Sequence, residues 1–455
     1  MAAVITKTSR GNRKLCYQNF IYTVHKRLRD EAIRWRCVRR SDGCCGALIT
    51  DDDNNVTELT TEHCHAPSEV DTELTVHHAN MKDAAQKSSS VPNQVLGDSL
   101  VMLSAAARAE HQDLETTKRS LRRIRSKNLP ADPPNIQSLE INGSWATTGD
   151  SDVRQFLQYD NGPNSEERII VFATDENLIR LSDCQTWQMD GNMAMAPYLF
   201  RQIYLIMGKI GNHCWPLVFV LPQRKTQASY EEMLQVVCDR CNTLGVVAYP
   251  NTIIIDFELA VMRAIEHVLG FGVNIVGCFF HLRQSTYRKI QELGLVPLYR
   301  DDLSIRKFCG MLDALAFLPL DRVENGMCVL RENAPHLLAE LVDYFDNIYV
   351  TGGMRRQPTA NPLQIRLRRT PPRFPPVTWN QHLQTMTNNP RTNNFCESWN
   401  NKFKHLVGHR APTVWKLIIA LQKEQAYTDT QVARIEAGQL VTRRIKTKYV
   451  KMQQR

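Results

Sequence analysis

Four residues near the start of the chain have the chemistry of metal ligands. Cys37 and Cys45 are followed by His63 and His65. Zinc takes four nitrogen or sulfur donors in a tetrahedron, and two thiolates with two imidazoles supply them. The pairs flank a strand-rich segment, so an ion there would tie two halves of a small sheet together. The spacing, Cys-x7-Cys then His-x-His, is not that of a ββα finger. Four protein ligands leave no position for water, so the expected role of the zinc is structural. Two acids suggest a second kind of chemistry. Asp190 ends TWQMD, and Asp256 ends NTIIID, an apolar run that reads as a buried strand. A carboxylate at the C-terminal end of an internal strand lies at the rim where open α/β sheets bind ligands. Two on neighbouring strands repel unless a proton or a cation lies between them. Mg²⁺ or Mn²⁺ suits oxygen donors of this kind. Taken singly, each Asp reads more readily as a turn or cap residue, Asp256 for the helix that follows it.

The elements that must position these groups fall into blocks. Residues 12–67 read as strands, in LCYQNFIYTVHKR, IRWRCVRR, ALIT and VTELTTEH. That is too short a segment for a secure apolar core, so a metal staple is expected. Residues 68–150 read as a polar, partly helical linker. It contains a basic helix within 98–127 whose last turn carries Arg122, Arg123, Arg125 and Lys127, and the prolines of LPADPPN stop it. From about 165 strands precede helices: RIIVFAT, TWQMDGNM, RQIYLIMGKI and CWPLVFVLP, then helix–strand–helix–strand–helix from YEEMLQVV through NTIIID and VNIVG to HLRQSTYRKIQELG. The expected class is α/β with a mixed sheet. Residues 295–390 read as a helical insertion carrying an Arg/Pro loop at 351–378. Helix returns from 392, and 411–455 reads as a C-terminal helix with a basic tail.

Composition narrows the function classes. The chain has 455 residues, 43% hydrophobic and 23% charged, which is globular usage. No apolar run approaches membrane-spanning length. The first residues show no apolar leader core, so secretion is not expected, and the 13 cysteines read as reduced thiols. The net charge of +9 is unevenly spread. Residues 1–50 carry 11 Lys and Arg against 3 acids, 351–396 carry seven arginines and no acid, and 443–455 carry six basic residues and no acid. Three such blocks point to a phosphate backbone as partner.

The motifs also carry resemblances. WRCVRRSDGCCGALIT with EHCHAP is similar to the FLYWCH zinc finger, a β-rich DNA- or protein-binding module, matched at Trp35, Cys37, Cys45, Ala47, His63, His65, Ala66 and Pro67. Cys44 is a second thiol beside Cys45, and the choice between them stays open. Farther on, Asp190 with Gly191 forms a first motif. Asp256, Glu258, Ala260, Ala264 and Ile265 form a second, followed by Cys278 and His281. Thr392, Asn393, Asn394 and Glu397 form a third. In this order, over residues 165–410, they resemble the transposase domain of Mutator-like elements (MULE). The resemblance implies a ribonuclease-H-like fold and a DDE triad of Asp190, Asp256 and Glu397 holding two Mg²⁺ or Mn²⁺ ions for DNA strand cleavage and transfer. It implies a role for His281 beside the scissile phosphate, double-stranded transposon ends as substrate, a homo-oligomer and a nuclear location. Arg355, Arg356, Arg366, Arg368, Arg369 and Arg373 would then grip the DNA backbone. The alternative is a domesticated, catalytically inactive DNA-binding regulator. Three smaller features read as structural: the Cys238/Cys241 pair as incidental, Trp399 as buried, and Cys278 as packing beneath its helix as readily as functional.

Overall fold

A computed structural model describes residues 3–7, 11–28, 31–87, 92–127, 129–149, 151–357, 366–387 and 389–439, with the side chains of Lys87, Arg125, Ser126, 355–357 and 366–367 excepted. The chain forms two units, Met1–Ala131 and Asp132–Arg455. No helix among the described residues is long and apolar enough to cross a membrane.

The first unit opens with a six-stranded antiparallel meander: β1 (Val4–Lys7), β2 (Arg13–Tyr17), β3 (Phe20–Arg27), β4 (Ile33–Cys37), β5 (Ala47–Thr50) and β6 (Val56–Thr61). The segment LCYQNFIYTVHKR is therefore two strands. Gln18 and Asn19 both have positive φ, 48° and 62°, and form the two-residue turn that right-twisted hairpins favour. The sheet begins before residue 12, because Val4–Lys7 pairs with Arg13–Cys16. Its core is small: Leu15, Tyr22, Ile33, Trp35 and Leu48. Trp35 is fully buried, and its indole N–H donates to Thr50 Oγ1 at 2.9 Å.

The segment expected to be a linker is folded. Four helices follow the sheet: α1 (Glu69–Lys87), α2 (Pro92–Val101), α3 (Ala105–Ala109) and α4 (Leu114–Ser126). They share a core of Met81, Ala85, Val95, Leu96 and Leu121. Apolar residues at helical spacing are hidden among small and polar ones there, so the composition reads as linker. The basic residues Arg119, Arg122 and Arg123 lie on the exposed side of α4.

The second unit is built on a seven-stranded mixed sheet. Its strands are β7 (Leu157–Asp160), β8 (Ile169–Phe172), β9 (Thr186–Asn192), β10 (Ile203–Ile210), β11 (His213–Pro222), β12 (Thr252–Ile255) and β13 (Asn274–Gly277). The spatial order is β13-β12-β9-β10-β11-β8-β7. The strands β9, β10 and β11 are antiparallel neighbours, while β12 lies parallel to β9 and β13 parallel to β12. The helices α5 (Asp175–Asp183), α6 (Gln227–Thr243), α7 (Leu259–Leu269) and α8 (Phe279–Glu292) connect them. The helix α5 escapes the sequence pattern because it is only nine residues long. Thr174 caps it, accepting from the Asn177 N–H. Both faces of the central strands are covered, and β11 is buried from Cys214 to Pro222.

Between β13 and the third motif the chain is helical, with α9 (Val296–Asp301), α10 (Leu303–Ala314), α11 (Val323–Glu332) and α12 (Ala339–Phe345). The Arg/Pro segment is not simply a loop. Arg355–Arg356 and Arg366–Arg369 lie on two antiparallel strands, β14 (Gly353–Gln357) and β15 (Arg366–Thr370). Two short helices, α13 (Pro376–Trp379) and α14 (His382–Met386), precede α15 (Asn394–Val407) and α16 (Val414–Glu436). The basic tail beyond residue 439 lies outside the described residues.

Candidate metal centre and candidate carboxylate site

In the first unit Cys37, Cys44, His63 and His65 place one ligand atom each within 4.8 Å of one another. Cys44 stands where the sequence reading put Cys45. The two thiols are adjacent on an irregular turn and face opposite ways. Cys44 is 4% exposed and its sulfur accepts the Gly46 N–H at 3.4 Å, whereas Cys45 is exposed and its thiol turns to the Gly43 carbonyl. Cys37 ends β4. A short 3₁₀ turn, Val38–Asp42, then leads to Gly43, whose φ of 87° reverses the chain and brings Cys44 back beside Cys37.

The donor spacing fits zinc. Cys37 Sγ lies 3.2 Å from His65 Nε2, and Cys44 Sγ lies 3.4 Å from His63 Nδ1. A tetrahedron with ordinary zinc–sulfur and zinc–nitrogen bonds has S···N edges of about 3.5 Å. The other nitrogen of each ring is engaged too. His63 Nε2 meets Tyr22 Oη at 2.8 Å, and His65 Nδ1–H donates to the Ala66 carbonyl at 2.9 Å. The carbonyl contact fixes the His65 tautomer with its Nε2 lone pair toward Cys37, and the Tyr22 hydroxyl orients the His63 ring. Burial raises the Cys44 thiol, but the Cys64 and Gly46 N–H groups and the Cys37 thiol more than offset this, leaving it at about 7. A Cβ on Gly46 would sit 2.4 Å from the His63 ring, so only glycine admits the imidazole there.

The second unit brings Asp190 and Asp256 to one rim. Thr252, Ile253 and Ile254 pair with Thr186, Trp187 and Gln188, and the same offset carries Asp256 alongside Asp190. Burial, the Asp256 charge and the Glu397 charge raise Asp190 to about 7, against donation from the Gly191 N–H and Asn400. Burial and Glu258 raise Asp256 to about 6, with Lys225 opposing. Glu397 lies in the first turn of α15 and is raised by burial. Among the described residues, the Cys/His set is the group of three or more ligand side chains gathered closely enough to hold an ion.

The motif residues around the acids hold the elements together. Cys278 is fully buried, and its thiol donates to Asn393 Oδ1 at 3.0 Å while its sulfur accepts the Asn393 N–H. The Phe279 N–H donates to the Arg391 carbonyl. The end of β13 is thereby tied to the start of α15, which places Glu397. Glu258 is committed elsewhere, to Lys225 at 2.7 Å and Tyr230 at 2.8 Å. A Cβ on Gly191 would lie 2.1 Å from Gln202 Oε1, so the buried Gln202 amide would have to move to admit one. Asn400 was missed in the sequence. It donates to Asp190 at 2.9 Å and accepts from Asn192. Its position three residues after Glu397, on the same helical face, was the available signal.

His281 lines a cavity of about 330 Å³ that Asp256, Arg288 and Arg373 also line. Burial holds its imidazole below the ordinary value, and its Nδ1 is buried without a partner. Arg368, Arg369 and Arg373 are exposed, while the side chains of Arg355, Arg356 and Arg366 lie outside the described residues. Trp399 is 4% exposed and stacks on Phe403. Cys238 and Cys241 sit on α6 with thiols raised to about 11 and 12 by burial, which suits packing rather than ligation.

Residues 5–65 match the FLYWCH zinc finger domain. With the Cys/His cluster, this makes the N-terminal sheet a FLYWCH-type zinc finger, and a finger of this type suggests a DNA-binding role. No curated protein matches the chain.

Proposed function

We propose that the chain is a DNA transposase of the Mutator-like type, in which the zinc finger binds DNA and Asp190, Asp256 and Glu397 serve metal-dependent strand cleavage and transfer. The observation that carries this reading is the placement of Asp190 near the end of β9 and of Asp256 just past the end of its parallel neighbour β12, each proton affinity raised, with Glu397 in electrostatic reach of Asp190. Three antiparallel strands followed by two parallel ones support the ribonuclease-H-like expectation. Divalent Mg²⁺ or Mn²⁺, when bound by these carboxylates, would supply charge neutralisation at both the attacking and leaving oxygens of a phosphodiester. The chain's own groups do the positioning. Asn400 orients Asp190, Lys225 and Tyr230 hold the Glu258 carboxylate, and the Cys278–Asn393 contacts seat Glu397. Arg373 and His281 flank the same rim, where a DNA phosphate would pass. A nuclear location and homo-oligomeric action belong to the same proposal.

The zinc finger, which by itself suggests DNA binding, serves a second reading as well, a DNA-binding regulator derived from such an enzyme. Purified protein with a labelled DNA end and Mg²⁺ or Mn²⁺ separates the two. Nicking or strand joining by wild type and none by Asp256→Ala supports the transposase. Equal binding by both proteins with no cleavage supports the regulator.

A further inference from the structure

In the helical part of the first unit three imidazoles meet, away from the zinc finger's own ligands. His77 and His78 are consecutive on α1, and His111 lies between α3 and α4. Consecutive helical side chains normally diverge. Here the His111 ring stands 5.3 Å from each of the other two, which are 5.6 Å apart by ring centroid. In the Cys/His cluster the His63 and His65 rings are 5.2 Å apart. The three histidines thus have the ring spacing of a ligand set.

Their nitrogens are in the same condition. Nε2 of His77, of His78 and of His111 is buried with no hydrogen-bond partner. Leaving one buried polar atom unpaired is costly, and three in one place require an explanation. His111 Nδ1–H donates to the Gln112 carbonyl at 2.7 Å, so its free lone pair is on Nε2. Metal-bound histidines are commonly oriented by such a contact. Burial and the neighbouring imidazoles hold His77 and His78 below the ordinary value. Lys14 and Lys82 add positive charge near His78, while the Glu73 carboxylate beside His77 opposes it. Glu73 is itself fixed, accepting from Ser104 N–H and Oγ–H at 2.6 Å, which anchors the start of α3 to α1.

We propose that His77, His78 and His111 form a second transition-metal site, with three imidazole donors and at least one position left for water. Borderline ions such as zinc suit this donor set. Side-chain rotation of the three rings would bring one nitrogen of each onto a shared ion.

Metal content of the full chain tests this. Protein is demetallated and titrated with Zn²⁺ in excess Mg²⁺, which occupies the carboxylates, and then with Co²⁺ for its spectrum. Wild type is expected to take two equivalents, one showing a thiolate-to-cobalt charge-transfer band and one without it. His111→Gln should keep only the thiolate-linked equivalent, and Cys44→Ser only the other. A single equivalent in wild type overturns the proposal whatever the variants do. So does a second equivalent that survives in a folded His111→Gln protein.

Discussion

At the residue scale, two adjacent cysteines differ by which way the chain turns. Cys44→Ser should lose the tight zinc equivalent, and Cys45→Ser should keep it; competition with a chelating dye measures both. Tyr22 touches only the far nitrogen of His63, so Tyr22→Phe should weaken zinc by about 10- to 100-fold without removing a ligand. The acids make a prediction of opposite character. Asp190 holds its proton more tightly in the folded chain, at about 7, than the ordinary 3.8. Its contribution to metal-free stability is therefore fully present below pH 3.8 and is lost as pH rises through about 7. Each tenfold change in proton affinity is worth roughly 1.4 kcal/mol, so the loss is on the order of a few kcal/mol. Asp190→Asn removes it. Metal-free Tm at alkaline pH should be higher in the variant than in wild type, and added Mg²⁺ should raise Tm only in wild type. A variant melting below wild type there would mean that the carboxylate is stabilising and needs no cation.

At the element scale, what positions the acids is a set of strand ends clasped to one helix start. Asn393 and Cys278 are 115 residues apart, and their contact closes the helical insertion onto the sheet. Asn393→Ala leaves the buried Cys278 S–H without its acceptor, although the sulfur still accepts the residue-393 N–H, at a cost of roughly 1–3 kcal/mol. Denaturant unfolding should show that loss, and Mg²⁺ affinity should fall with it because Glu397 is no longer seated. That Asp190 and Asp256 fall at the ends of neighbouring strands was legible in the sequence from the runs that they close. The helices of residues 69–126 were not, because their core is assembled from single apolar residues scattered over short elements. The Gln18–Asn19 turn was missed because no glycine marks it. The choice of Cys44 was closed to the sequence, since it depends on the positive φ at Gly43 and on the room Gly46 leaves for His63. The histidine trio was invisible for a related reason: His111 is far from His77 and His78 along the chain and joins them only when α3 and α4 fold back.

At the scale of the whole molecule, the two chemistries are separable by variant. The finger's thiolates and imidazoles suit zinc and, under the proposed function, the carboxylates would take a hard ion, so a zinc-selective chelator and Mg²⁺ withdrawal should strike different properties. Phosphate contacts release counterions, so the log of DNA affinity should fall linearly with the log of salt concentration, with a slope of about −0.9 for each phosphate neutralised. Exposed Arg119 and Arg122 on α4 and exposed Arg368, Arg369 and Arg373 in the second unit are basic groups suited to such contacts. Replacing Arg368 and Arg369 together by Ala should shallow the slope by about two and weaken all sequences alike, because such contacts position DNA without reading it. Cys44→Ser should instead reduce discrimination between sequences more than it changes the slope, if the finger reads base edges. Asp256→Ala should alter neither quantity while abolishing nicking. Filter-binding titrations at several salt concentrations, on two unrelated duplexes, check all three variants together. A slope unchanged in the Arg368/Arg369 double variant would remove that hairpin from the DNA path and leave α4 and the finger as the binding surface.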